Sequence, residues 1–166
     1  MKNIRYSRLF AIALVALSLL AFGCKQPEDL TTQDSSIINA LQGTWVEAGS
    51  SGNTYYKIEG STFKNYGDTY TSYEGEDLEI EKISDTAGTI FIKYTVSMNA
   101  DYTYSATAPD VGKWYAISYK NLTDNSVSLS GAYGNLTSTD TIEEAKKEFT
   151  IENGYFASYS ECKKAE

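Results

Sequence analysis

Five carboxylates fall within one stretch of eight residues, Glu74, Glu76, Asp77, Glu79 and Glu81, and paired carboxylates are what glycoside hydrolysis requires. Their setting argues against that use. In DLEIEKI, Glu79 and Glu81 alternate with Leu78 and Ile80, the pattern of a strand with one wet face. Asp68, Glu74, Glu76 and Asp77 offer hard oxygens for calcium, yet the string lacks the spacing of an EF-hand loop. Neither NYGDT nor EGEDLE has the glycine placement of a phosphate loop. The chain contains no histidine, which removes the commonest general base and the commonest transition-metal ligand. Cys162 has no activating base near it in the sequence. The expectation is a protein without catalytic residues, metal or cofactor.

The remaining chemistry sits near the N-terminus. MKNIRYSRLF carries Lys2, Arg5 and Arg8 and no acid, AIALVALSLLAFG follows as an apolar run, and Gly23 precedes Cys24. A basic segment, a short apolar segment and a small residue describe an export signal. The run is shorter than the roughly 20 residues of a spanning helix. Its ending, AFGC, resembles the lipobox of bacterial lipoproteins, with Ala21 where leucine is usual and Phe22 bulkier than typical. That resemblance implies removal of residues 1–23, a diacylglycerol on the Cys24 thiol, and further acylation, palmitate included, at the new N-terminus. Two or three chains hold a protein to a bilayer stably, whereas one holds it marginally. The expected partner is therefore the lipid bilayer, and the expected location the outer membrane or cell surface, with the periplasmic face also open.

Residues 24–36 are polar, as a flexible tether should be, and residues 37–166 suffice for one domain. The whole chain carries a formal charge of -8. Loss of Lys2, Arg5 and Arg8 leaves 11 basic residues against 22 acids, or -11. So acidic a surface repels nucleic acid. With Cys24 acylated, Cys162 is the only thiol left and no internal disulfide can form.

From Gly43 onward the hydrophobic period is mostly two, broken by turn residues every 8 to 15 positions. GTWVEAGS and TYYKIEG flank a hairpin turn with Gly52 and Asn53; STFKNY and TYTSYEG form a second pair; DLEIEKI and GTIFIKYTV follow. A short strand is expected around Tyr102 to Ser105. In VGKWYAISYKNL, Trp114, Ala116 and Ser118 share one face and Tyr115, Ile117 and Tyr119 the other, while NSVSLSGAYG aligns Val127, Leu129 and Tyr133. The period changes once, in STDTIEEAKKEFT, where Thr141 and Glu144 have capping-box spacing and predict a helix over 141–149. SSIINALQG predicts a turn of helix before the first strand, with Ile37, Ile38 and Leu41 plugging one end. The sum is an eight- to nine-stranded antiparallel barrel with one short helix before the last strand, since closure removes exposed edges.

LQGTWV, with Gly43 and Trp45, resembles the Gly-x-Trp signature on the first strand of lipocalins and related calycin barrels. The resemblance implies that the glycine bends the chain into the strand while the tryptophan seals the barrel's closed end. Lipocalins lay a late arginine over that tryptophan. This chain has no arginine after Arg8, which leaves Lys163 or Lys164 as substitutes, although lysine stacks less well than a planar guanidinium. SYEG and GKWYAISYKNL are also similar to stretches of uncharacterised spirochaete lipoproteins.

The chain has 14 tyrosines, 13 of them beyond the signal. Tyrosine pairs a flat apolar surface with a hydrogen-bonding tip, which suits a cavity lining or an interface. One expectation is a small amphipathic or hydrophobic ligand within the barrel, touched by Tyr56, Tyr94, Trp114 and Tyr133. The other is a solidly packed, non-enzymatic domain that meets a protein partner through its surface.

Overall fold

The computed structural model describes residues 30–49 and 52–166; the signal stretch and Cys24 lie outside them. Helix α1 (Leu30–Leu41) leads into nine strands: β1 (Gly43–Gly49), β2 (Gly52–Glu59), β3 (Thr62–Gly67), β4 (Thr71–Ser84), β5 (Ala87–Met98), β6 (Tyr104–Ser105), β7 (Trp114–Lys120), β8 (Ser126–Gly131) and β9 (Ser160–Lys164). Helix α2 (Ile142–Glu148) lies between β8 and β9. Strands β1 to β5 form an antiparallel meander, and β7, β8 and β9 continue it back to β1. Two residue pairs close the ring, Trp45 with Lys164 and Val46 with Lys163. The result is a closed barrel of eight antiparallel strands, with β6 added on β5 outside the ring. No helix among the described residues is long and apolar enough to cross a membrane.

TYTSYEG and DLEIEKI, expected as two strands, form the single strand β4. Continuity is possible because the register slips between Glu76 and Glu79, where Asp77 takes a positive φ of 53°. A bulge of this kind bends and twists a strand without ending it. Helix α1 likewise starts at Leu30, within the stretch read as tether.

Register assigns each side chain to a face, because partners across a ladder point the same way. On β1, β2 and β3 the inward layers are Gly43, Ile58 and Phe63; then Trp45, Tyr56 and Asn65; then Glu47, Thr54 and Gly67. On β5 and β7 they are Ile90 with Ile117 and Ile92 with Tyr115. The outward positions carry Lys57, Lys64 and Glu81, and Glu79, which bonds Lys146 of α2 at 3.0 Å. Outward Phe91 and Ala116 are nevertheless buried, because α2 packs over β5 and β7 with Ala145 and Phe149 buried beneath it. This explains why GTIFIKYTV is apolar on both faces.

Helix α2 carries the expected capping box. The Glu144 N–H donates to the Thr141 hydroxyl, and the Glu144 carboxylate accepts from the Thr141 N–H, each at 3.3 Å. Glu143 and Glu144 sit in the first turn and Lys146 and Lys147 in the last, matching the helix dipole. Replacing such a cap typically costs about 1 kcal/mol. Thr141→Ala is expected to lower the urea midpoint by that equivalent with an unchanged slope; an unaltered midpoint would show that packing alone holds α2.

Candidate functional site

The two ends of the barrel differ in chemistry. At the end where α1 enters, Ile37 and Leu41 join the core, and the Leu41 carbonyl accepts a 2.8 Å hydrogen bond from the Trp45 indole N–H. Trp45 has no exposed surface. The Lys164 ammonium lies 5.1 Å from its ring centroid. Gly43 has φ of +118°, and a β-carbon there would stand 3.0 Å from the Lys164 side chain. Glycine meets both demands, backbone conformation and close approach.

The opposite end is lined with polar tips on aromatic rings. Tyr73, on β4, stacks on Phe63 at 5.8 Å and meets Tyr115 edge-on at 5.2 Å; Tyr94 stacks on Tyr115 at 4.9 Å. The Tyr115 hydroxyl donates to the Ala132 carbonyl at 3.1 Å. It occupies the space that a side chain at Gly131 would need. Across the mouth, the Tyr56 hydroxyl donates to Ser160 Oγ at 3.3 Å, and the Tyr70 ring covers Gly67. The Tyr70 and Thr54 hydroxyls are 3.3 Å apart. Half-buried Glu47 faces Thr54 across the β1–β2 ladder.

These groups perturb one another. Burial pushes the Tyr56 hydroxyl up to about 12, with smaller upward contributions from Cys162, Glu47 and Tyr70 and an opposing one from the Ser160 hydrogen bond. Tyr73, Tyr94 and Tyr115 are also raised well above their ordinary value, burial again being the largest cause. Cys162, 2% exposed, is likewise raised to about 12, first by burial and then by the charges of Glu47 and Glu161. So high a value suppresses the reactive thiolate.

Of the four residues expected to touch a ligand, Tyr56 and Tyr94 face inward near the mouth. Trp114 and Tyr133 do not. Trp114 pairs with Lys93 on the outward face, next to Thr139, with which it exchanges backbone hydrogen bonds. Tyr133 is 86% exposed, because β8 ends at Gly131 and the Tyr133 N–H bonds the Tyr155 carbonyl instead of continuing the ladder. Glu47, Tyr70, Tyr73 and Ser160 are the mouth residues that sequence reasoning passed over. For Glu47 a signal existed: it follows Gly43 and Trp45 at a spacing of two.

Two clefts open on the surface, the second of them beside the rim. One, of about 250 Å³, lies between the end of α2 and the β4–β5 hairpin and is lined by Glu81, Thr89, Lys146 and Phe149 among others. The other, about 410 Å³, is a shallow depression at the β3–β4 turn beside Tyr66 and Tyr70. The acidic run of β4 is dispersed: Glu74 bonds Lys64 at 2.6 Å and Glu79 bonds Lys146. Among the described residues, no three histidine, cysteine, aspartate or glutamate side chains gather as metal ligands would.

No protein-family model matches the chain, and neither a curated protein nor a solved structure matches it.

Proposed function

We propose that this is a lipid-anchored, non-catalytic binding protein of the bacterial envelope, held at the outer membrane or cell surface by acylated Cys24. Its barrel takes a small amphipathic ligand at the tyrosine-lined end. The observation that carries this reading is the polarity of the barrel. One end is sealed by Trp45, Lys164 and an apolar helix face, while the other presents half-buried Glu47, Thr54, Tyr56, Tyr73 and Ser160. Aromatic surfaces ending in hydroxyls suit a ligand with both an apolar body and a polar group. Gly43 at positive φ, buried Trp45 and the overlying lysine support a calycin-like origin for the domain.

A second reading is protein docking on the outer face. Tyr55 and Tyr66 stack there at 4.9 Å, nearly parallel at 13°, and Tyr102 and Tyr133 are 80% and 86% exposed. Native mass spectrometry of the intact chain released from its membrane tests the proposal. The covalent diacylglycerol and acyl mass should survive denaturation, and a further few hundred daltons should be lost with the fold. A bare polypeptide mass would refute the anchor. A lipidated mass unchanged by unfolding would refute the ligand and favour the outer face.

A further inference from the structure

We infer that the tyrosine-lined end of the barrel selects a cationic ligand, an organic ammonium or guanidinium attached to a short apolar body, through the Glu47 carboxylate and the tyrosines around it. The inference rests on the proposed ligand site and names the ligand's charge. Register places Glu47 inward in the outermost layer, directly opposite Thr54 and one layer above Trp45 and Tyr56. It is half-buried, and none of the five ion pairs among the described residues involves it. The inward-facing lysine of this region of the ring, Lys164, is at the far end over Trp45. A carboxylate set back into a barrel mouth without a cation leaves its field directed at whatever enters.

That field reaches the neighbouring polar atoms. The charge of Glu47 adds to what holds the Tyr56 hydroxyl and the Cys162 thiol in their neutral forms. A ligand cation would reverse this contribution, replacing repulsion of negative charge by attraction. The rings supply the rest, because a tyrosine face attracts a cation within about 6 Å of its centroid. One carboxylate at the β3–β4 turn has the same sign as Glu47. Asp68 accepts from the Asn53 N–H and the Tyr55 hydroxyl, both at 2.8 Å, and these bonds hold its carboxyl below the ordinary carboxylate range.

The test uses three probes with one apolar body: hexyltrimethylammonium, hexyl sulfate and hexyl glucoside. Each is titrated against the intact chain in nanodiscs of zwitterionic lipid, with empty nanodiscs as reference. The ammonium probe is expected to bind about tenfold more tightly than the sulfate, the gain available to a partly desolvated cation over aromatic faces. Glu47→Gln keeps the side-chain shape and should erase that preference. Thr54→Lys, which sets a fixed ammonium opposite Glu47, should erase it independently should the first variant fold poorly. Equal binding of all three probes, unmoved by either substitution, overturns the charge inference and leaves the site standing. Binding by none of them overturns both.

Discussion

Trp45→Ala is expected to cost the barrel about 3–5 kcal/mol, the loss typical of emptying a large aromatic from a core. The indole has no exposed surface, donates its N–H to the Leu41 carbonyl, and lies under the Lys164 ammonium. Its removal therefore opens a cavity and leaves the end of α1 without its polar contact to β1. A domain of this size has a reserve of about 5–15 kcal/mol, so the variant should unfold at a much lower urea concentration. Lys164→Ala should cost far less, about 0.5–1 kcal/mol, because it removes one cation–π contact near the barrel end. A Trp45→Ala loss as small as that of Lys164→Ala would show that the tryptophan is not the seal.

Alkali should unfold the protein abruptly. Tyrosine ordinarily ionises near 10, whereas burial holds Tyr56 at about 12 and keeps Tyr73, Tyr94 and Tyr115 well above their ordinary value. Below pH 10 all four are protonated in both the folded and the unfolded chain, and their contribution to stability is fully present. Above that value the unfolded chain releases protons that the folded chain still holds, so stability falls as pH rises. Cys162, also raised to about 12, acts in the same direction. Each group withdraws on the order of 1 kcal/mol per pH unit, and four acting together exhaust an ordinary reserve within two units. The phenolate absorbance of these residues should rise together with loss of the β circular-dichroism signal between pH 10 and 12. Tyr94→Phe, which removes one ionisation, should move the transition upward. Full phenolate absorbance in a protein that keeps its β signal would contradict the account.

The barrel was legible where chemistry repeats along the strand. Alternation in GTWVEAG, DLEIEKI and KWYAISY marks faces that the register reproduces, and Thr141 with Glu144 marks the helix start. Legibility failed where a face depends on distant chain. The TYTSYEG and DLEIEKI stretches read as separate strands because nothing local tells that Asp77 can bulge and let β5 pair with both. Tyr133 keeps period two with Val127 and Leu129, but the ladder that would have turned it inward stops at Gly131, where the Tyr115 hydroxyl fills the space. Trp114 shares its face with Ala116 and Ser118, and the barrel turns that face outward, away from a ligand within it. The meeting of Glu47, Tyr56, Tyr70 and Ser160 brings together β1, β2, the β3–β4 turn and β9, a closure that only the folded ring makes visible.

Whether the ligand site lies inside the mouth is best tested by NMR of the intact chain in nanodiscs with its tyrosine rings isotopically labelled, titrated with an extract of its own cell envelope. Shifts confined to Tyr56, Tyr70 and Tyr73, with Tyr55 and Tyr66 unmoved, are the expected result. Shifts at Tyr55, Tyr66 or Tyr133 with the mouth tyrosines unchanged would contradict the account and assign binding to the outer surface.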